Sequence, residues 1–308
     1  MCFFARSPTK TTTKRTRPSR RQSCLLGLVR FVVVQNDSSC LFIANKLGQR
    51  YNASGCLAGE KQPYMDKSFV YTFPNKRTAH VIQVHLVEEL PLAFYELGIE
   101  YPRPTLVLIG GADGISSDEL AHLHRLFVEV LAPLAETHNI AVVDGGTDAG
   151  VMQLIGQAHC EIDANFPLIG VAAIGTVALS EAALDRPRNE LLESHHTHFI
   201  LVPGSTWGDE SHWIAEITSV LAGGLPAITI LVNGGDIAWN DVVQSVEVNR
   251  PVIVVAGSGR TADTLASALH GNVLDNRARE LVASGLLRSI DPGQGFDELA
   301  RTINEFLH

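Results

Sequence analysis

The chain has 308 residues, 45% of them hydrophobic, and a formal net charge of −9 at neutral pH. Those values describe a globular protein with room for one large core or two small ones, and they exclude a disordered chain. No apolar run reaches the roughly 18 residues expected of a membrane-spanning helix; the stretch 24–35 is too short, and Arg30 interrupts it.

The charge is unevenly distributed. Residues 1–64 hold eleven Lys or Arg against Asp37 and Glu60, a net of +9, whereas residues 65–308 carry a net of −18. Four of the five cysteines (Cys2, Cys24, Cys40, Cys56) also fall in the first stretch, at spacings that match no zinc pattern. Three readings of 1–64 compete: a targeting presequence, a basic arm for nucleic acid or acidic lipid, and upstream sequence read through from a start assigned too early, with Met65 the true start. The regular, acidic pattern begins just after Met65, which favours the last. A disordered tail is the plain alternative. The expected organisation is a basic extension over 1–64 and one compact domain over 65–308.

Within the compact part, a strand is expected near 81–87, then a helix begun by Glu88 and Glu89 with Pro91 in its first turn. Tyr101-Pro102-Arg103-Pro104 reads as a stiff connector. Four copies of one unit follow: an apolar, β-favouring run, a glycine turn and a helical pattern. The first copy runs through 105–109 into Gly110-Gly111-Ala112-Asp113-Gly114. Ser116 and Glu119 form a capping box after it, and Leu120, Leu123, Phe127, Leu131 and Leu134 keep helical spacing.

The second copy runs through 140–143 into Asp144-Gly145-Gly146-Thr147-Asp148-Ala149-Gly150, then a helix over 151–159 and a strand over 167–173. The third runs through 199–202 into Pro203-Gly204-Ser205-Thr206-Trp207-Gly208. Its helix, 211–221, stops at Gly223-Gly224. A further strand at 228–232 leads into Asn233-Gly234-Gly235-Asp236. The fourth copy runs through 252–256 into Gly257-Ser258-Gly259-Arg260-Thr261, with a helix over 262–270 and a helix–strand–helix tail ending in 296–307. Strands alternating with helices at this spacing give an α/β, three-layer fold with a mostly parallel central sheet.

A glycine turn that opens a helix bares backbone N–H groups beside the positive helix end and suits a phosphate. Four such turns at strand ends would share one rim, where open α/β sheets bind ligands. Gly145, Gly146, Thr147 and Gly150 make the best cradle, although Asp144 and Asp148 would repel an anion. A ligand-free turn is the alternative. Pro203, Gly204, Ser205, Thr206, Trp207, Asp209 and Glu210 add hydroxyls, an indole that could stack on a base, and acceptors for ribose; both acids could instead serve the helix dipole, with Trp207 filling the core. Gly110 and Gly111 complete the rim with Gly257, Ser258, Gly259 and Arg260, whose guanidinium suits a phosphate. The cluster His195-His196-x-His198 suggests a metal, but adjacent strand residues point oppositely, so a structural role is favoured and no metal is expected. Neither a Gly-x-x-x-x-Gly-Lys-Ser/Thr phosphate loop nor a Gly-x-Ser-x-Gly nucleophile elbow occurs.

At these residues the chain resembles the SLOG superfamily of Rossmann-like nucleotide-binding domains, in its prokaryotic LSDAT branch, which is related to the N-terminal domain of melastatin-type TRP channels. The likeness rests on 106–112, 143–152, 202–211 and 256–263. It implies binding or sensing of a nucleotide-derived ligand of the NAD or ADP-ribose type, with no certain cofactor. A sister branch, the LOG phosphoribohydrolases, cleaves the N-glycosidic bond of nucleoside monophosphates with the motif Pro-Gly-Gly-x-Gly-Thr-x-x-Glu. Laid on Pro203, that motif finds Ser211 in place of its catalytic Glu, with Glu210 one position early and Arg188 as the candidate upstream arginine.

Three functions are therefore open: a cytoplasmic ligand-sensing module, an N-glycosidic-bond hydrolase using Glu210 and Arg188, and a structural domain without ligand. The sensor reading expects a small nucleotide as partner, no nucleic acid for the compact domain, and output through a homo-oligomer or a separate effector chain.

Overall fold

The computed structural model describes residues 67–111, 117–178, 190–273, 275–291, 293 and 296–307, together with the backbone of four strands nearer the start. The chain divides into 1–60 and 61–308. In the first unit Gln22–Leu26 (β1), Val29–Gln35 (β2), Leu41–Ala44 (β3) and Arg50–Tyr51 (β4) pair antiparallel in that order. The basic and cysteine side chains read from 1–64, the cap at Ser116, and Arg188 all lie outside the described residues.

The second unit opens with Phe69–Thr72 (β5) and Thr78–Gln83 (β6) and the helix Leu90–Leu97 (α1). The strand expected at 81–87 therefore ends at Gln83, because Leu86 already begins the helical turn that leads into α1. Thr105–Gly110 (β7), Ala141–Asp144 (β8) and Leu168–Ala173 (β9) follow. Between them lie Ser117–Leu126 (α2), Ala132–Thr137 (α3) and Gly150–Glu161 (α4). The spacing of Leu120 to Leu134 suggested one unbroken helix, but Phe127–Leu131 forms a π turn between α2 and α3. Pro133, in the first turn of α3, has no N–H to give the preceding turn, which accounts for the interruption there.

Two-residue strands Val177–Ala178 (β10) and Glu190–Leu191 (β11) pair beside the main sheet. His198–Val202 (β12), Ser211–Ala222 (α5), Ala227–Val232 (β13), Asp236–Glu247 (α6), Val252–Val255 (β14), Arg260–Leu269 (α7), Asn276–Ala283 (α8), Leu287–Ile290 (β15) and Asp297–Leu307 (α9) complete the unit.

Nine strands form one sheet in the order β15-β14-β13-β7-β8-β9-β12-β6-β5. Every neighbouring pair is parallel except β5 with β6. The central strands are continuous apolar runs because helices cover both their faces. Val107 and Ile109 of β7 face the helices α1, α5, α6, α7 and α8. Leu106 and Leu108 face α2, α3, α4 and α9. The architecture is thus α/β, three-layered and Rossmann-like. No helix among the described residues is long and apolar enough to cross a membrane.

The topology fixes where a ligand would go. From β7 the chain winds outward through β8 and β9 to β12, then returns to the other side of β7 as β13 and winds the opposite way. The carboxyl ends of β7 and β13 therefore flank a switch point, the position at which open α/β sheets leave a crevice.

Candidate functional site

Along the carboxyl rim the turns stand in sheet order: 257–260 after β14, 233–235 after β13, 110–111 after β7, 145–150 after β8, and 203–208 after β12. Gly110 is pinned between β13 and the start of α4. A side chain there would place its Cβ 1.8 Å from the Val232 carbonyl oxygen and 3.3 Å from Val151.

The turn after β8 is held from beneath by a buried polar cluster. Asp144 Oδ1 accepts the Gly146 N–H at 2.7 Å and lies 2.9 Å from His196 Nε2. His196 Nδ1 lies 2.8 Å from Glu193 Oε2, and Glu193 Oε1 meets His195 Nδ1 at 2.5 Å. The Glu193 N–H closes the loop onto the Gly146 carbonyl at 2.9 Å. Burial alone would lower the His196 pKa, but the Asp144 and Glu193 carboxylates outweigh it and lift the imidazole to about 10. Burial pushes Glu193 upward, yet the hydrogen bonds and charge of His196, with His195, hold it below the usual carboxylate range.

His196 is thus a buried imidazolium between two carboxylates, and Asp144 Oδ2 is left without a hydrogen-bond partner. Among the described residues no group of three or more His, Cys, Asp or Glu is arranged to hold a metal ion. Sequence reasoning noticed the histidines but missed their acids. Asp144 is 52 positions from His196, so only folding joins them; Glu193, three residues before His196, was the one local signal.

The turn after β12 is also bonded to itself. Asp209 Oδ2 accepts the Ser205 and Thr206 N–H groups at 2.8 and 3.0 Å, which holds its carboxyl below the usual range. Both Glu210 oxygens accept the Gly208 N–H at 3.1 Å. Burial raises the Glu210 carboxyl above its ordinary value, and it is only 7% exposed. Beneath it, burial lifts Asp241 of α6 to about 7, the Ser211 hydroxyl works against that shift, and the nearby Glu210 adds to it. Trp207 stands 37% exposed. The Gly208 backbone passes over α6, where an added Cβ would lie 3.7 Å from Asn240 Nδ2. The expected acceptors Asp209 and Glu210 are therefore engaged with their own loop, whereas Trp207 presents a face to solvent.

The turn after β14 braces its neighbour. Asp263 Oδ1 accepts the Gly257 N–H at 2.7 Å, and the Thr261 and Ala262 N–H groups donate to the Gly234 and Asn233 carbonyls. Ser258 and Thr261 bond the 233–235 turn as well. Arg260 takes a positive φ of 48° and lays its guanidinium against Gly235, Nη2 standing 3.1 Å from where a Gly235 Cβ would be. Sequence reading placed Asn233-Gly234-Gly235 after a strand but not in the site. The structure sets this turn at the switch point, between Gly111 and Arg260.

Comparison with known proteins agrees with this frame. The rat transient receptor potential cation channel subfamily M member 2 (Rattus norvegicus) is 25% identical over 205 residues, covering 55% of this chain and 13% of the channel. The member-like 2 channel of Nematostella vectensis is 25% identical over 270 residues, covering 76% and 17%. Mouse member 1 (Mus musculus) is 28% identical over 202 residues, covering 55% and 12%. The chain thus spans less than a fifth of the length of each of these relatives. The family described as SLOG in TRPM, prokaryote (LSDAT_prok), matches residues 103–300. That match takes in β7 through the first turn of α9 and every turn of the rim, and the chain belongs to this family.

Proposed function

We propose that this chain is a ligand-sensing domain whose carboxyl rim binds a nucleotide-derived ligand of the NAD or ADP-ribose type. The observation that carries the reading is the row of glycine turns at adjacent parallel strand ends around a switch point, with Arg260 laid across one of them. Backbone N–H groups and the guanidinium would take phosphate, and Trp207 would stack on a base. On this reading the domain works in the cytoplasm and passes its signal to a second copy or a separate effector chain.

The hydrolase reading draws less support, because Glu210 is buried and both its oxygens lie on the Gly208 amide rather than toward the rim. Thermal denaturation with NAD, ADP-ribose, AMP, ATP and cyclic nucleotides tests the proposal. A ligand at 100 times its dissociation constant adds about 2.7 kcal/mol, which a melting curve resolves. A selective rise is expected; no shift with any member of the panel overturns the reading.

A further inference from the structure

We propose that the switch point at the carboxyl ends of β7 and β13 is a ribose-phosphate subsite, in which the start of α6 and Arg260 take the phosphate and Asn233 Oδ1 accepts a sugar hydroxyl. The inference rests on the nucleotide-binding reading above and names the part of the ligand that enters the switch point.

Asn233 ends β13 in a left-handed conformation (φ 59°) and is 1% exposed. Its side-chain Nδ2 donates to the Ser258 carbonyl at 2.8 Å. Its backbone N–H donates to Ser258 Oγ at 2.8 Å, and that hydroxyl donates to the Val255 carbonyl at 2.6 Å. The amide cannot turn over, because Oδ1 would then face the Ser258 carbonyl, acceptor against acceptor. Gly259 is shaped to the same end. With φ at 101° it brings its backbone against the amide, and a Cβ there would stand 2.8 Å from Nδ2.

The fixed orientation leaves Oδ1 toward Gly111, 3.9 Å from where a Gly111 Cβ would lie, buried and without a hydrogen-bond partner. A buried acceptor with no donor is costly, and each one in a native fold asks for an explanation. Here the explanation is a donor brought by the ligand.

The phosphate half of the subsite lies two residues on. Helix α6 has twelve residues and is capped by Gly235, with no side chain bonding its first turn. Gly234, at φ 94°, and Gly235 put no side chain of their own at that helix end. The Arg260 guanidinium lies against Gly235, and the α6 dipole adds positive potential. The one carboxylate of the first turn, Asp236, lies within electrostatic reach of Arg277. The neighbouring start of α7 is less suited, since its Thr261 and Ala262 N–H groups are spent on the Gly234 and Asn233 carbonyls. An anion site and a hydroxyl acceptor separated by two residues fit a sugar that carries its own phosphate.

The test measures binding of AMP, 2′-deoxy-AMP, 3′-deoxy-AMP and inorganic phosphate to the full chain by calorimetry. The unaltered protein should bind AMP about tenfold more tightly than at least one deoxy form. Asn233→Gly, which suits the positive φ, should erase that difference and leave phosphate binding unchanged. Equal affinity for all three nucleotides in the unaltered protein, or AMP affinity unmoved by Asn233→Gly, overturns the subsite and marks Oδ1 as a seat for structural water only. In those cases AMP still binds, so the nucleotide-binding reading survives. Failure of AMP and of every nucleotide in the melting panel removes both. The deoxy comparison needs no variant and decides the matter should Asn233→Gly not fold.

Discussion

His196 is the residue on which most of the hidden electrostatics turns. Removing it leaves Asp144 and Glu193 facing each other in the interior without their cation. Breaking a buried ion pair from one side costs about 3–5 kcal/mol, so His196→Leu should lose about that much in urea unfolding. The pH dependence has a defined sign. Its folded pKa of about 10 lies above the ordinary value, so the stabilisation is complete below about pH 6.5 and is lost as pH rises toward 10. Asp241, also raised, loses its contribution lower on the scale, between about pH 4 and 7. Asp241→Asn should remove that fall in a series of melts, so that stability rises with pH between about 4 and 6.5, and leave the upper window intact. His198 works the other way. Burial, with His80 beside it, depresses its pKa to about 4, so its contribution is present above about pH 6.5 and lost as pH falls toward 4.

Elements meet most closely at the rim, and two adjacent glycines there do different jobs. Gly110→Ala would drive a Cβ into the Val232 carbonyl and prise β13 from β7, so little folded protein should be recovered on expression. Gly111→Ala meets only Asn233 Oδ1 at 3.9 Å and should change stability by less than about 1 kcal/mol while weakening nucleotide binding. Urea titration and calorimetry on the second variant separate these effects. Gly146 resembles Gly110 rather than Gly111. It takes φ 67°, and a Cβ would fall 2.7 Å from Gly170 Cα, so a substitution there probes the packing of β8 on β9 before it probes any ligand. Under α2 and α3, Phe127 is fully buried. Phe127→Ala should cost about 3–5 kcal/mol, through lost burial and the cavity left behind, in the same urea assay.

At the scale of the molecule, the rim proposed to take phosphate sits on a domain whose residues 65–308 carry a net of −18. The field of those carboxylates repels an approaching nucleotide at long range, while Arg260 and the helix starts attract it only nearby. The association rate for AMP should therefore rise between low and physiological salt in stopped-flow measurements. A rate that falls would mean that the local cations dominate the approach.

The apolar runs at 105–109, 140–143, 199–202 and 252–256 were legible in the sequence as buried parallel strands, because a strand covered on both faces has no polar alternation to hide it. The glycine turns and the stop at Gly223 were legible for the same local reason. The π turn, the edge strand β5 and helix α6 escaped notice, since their signals are short or compete with stronger neighbours. What the sequence by itself determined is the alternation of strands and helices, the glycine rim and the family. Only the tertiary structure decided which strand pairs with β7, and so where the switch point lies. It alone brought Asp144 to His196, turned Asp209 and Glu210 back onto their own loop, and set Asn233 facing Gly111. Local pattern is written in neighbouring residues, but the meetings of Asp144 with His196 and of Asn233 with Gly111 join positions tens to more than a hundred residues apart, and burial and hydrogen bonding select them only once the sheet has closed.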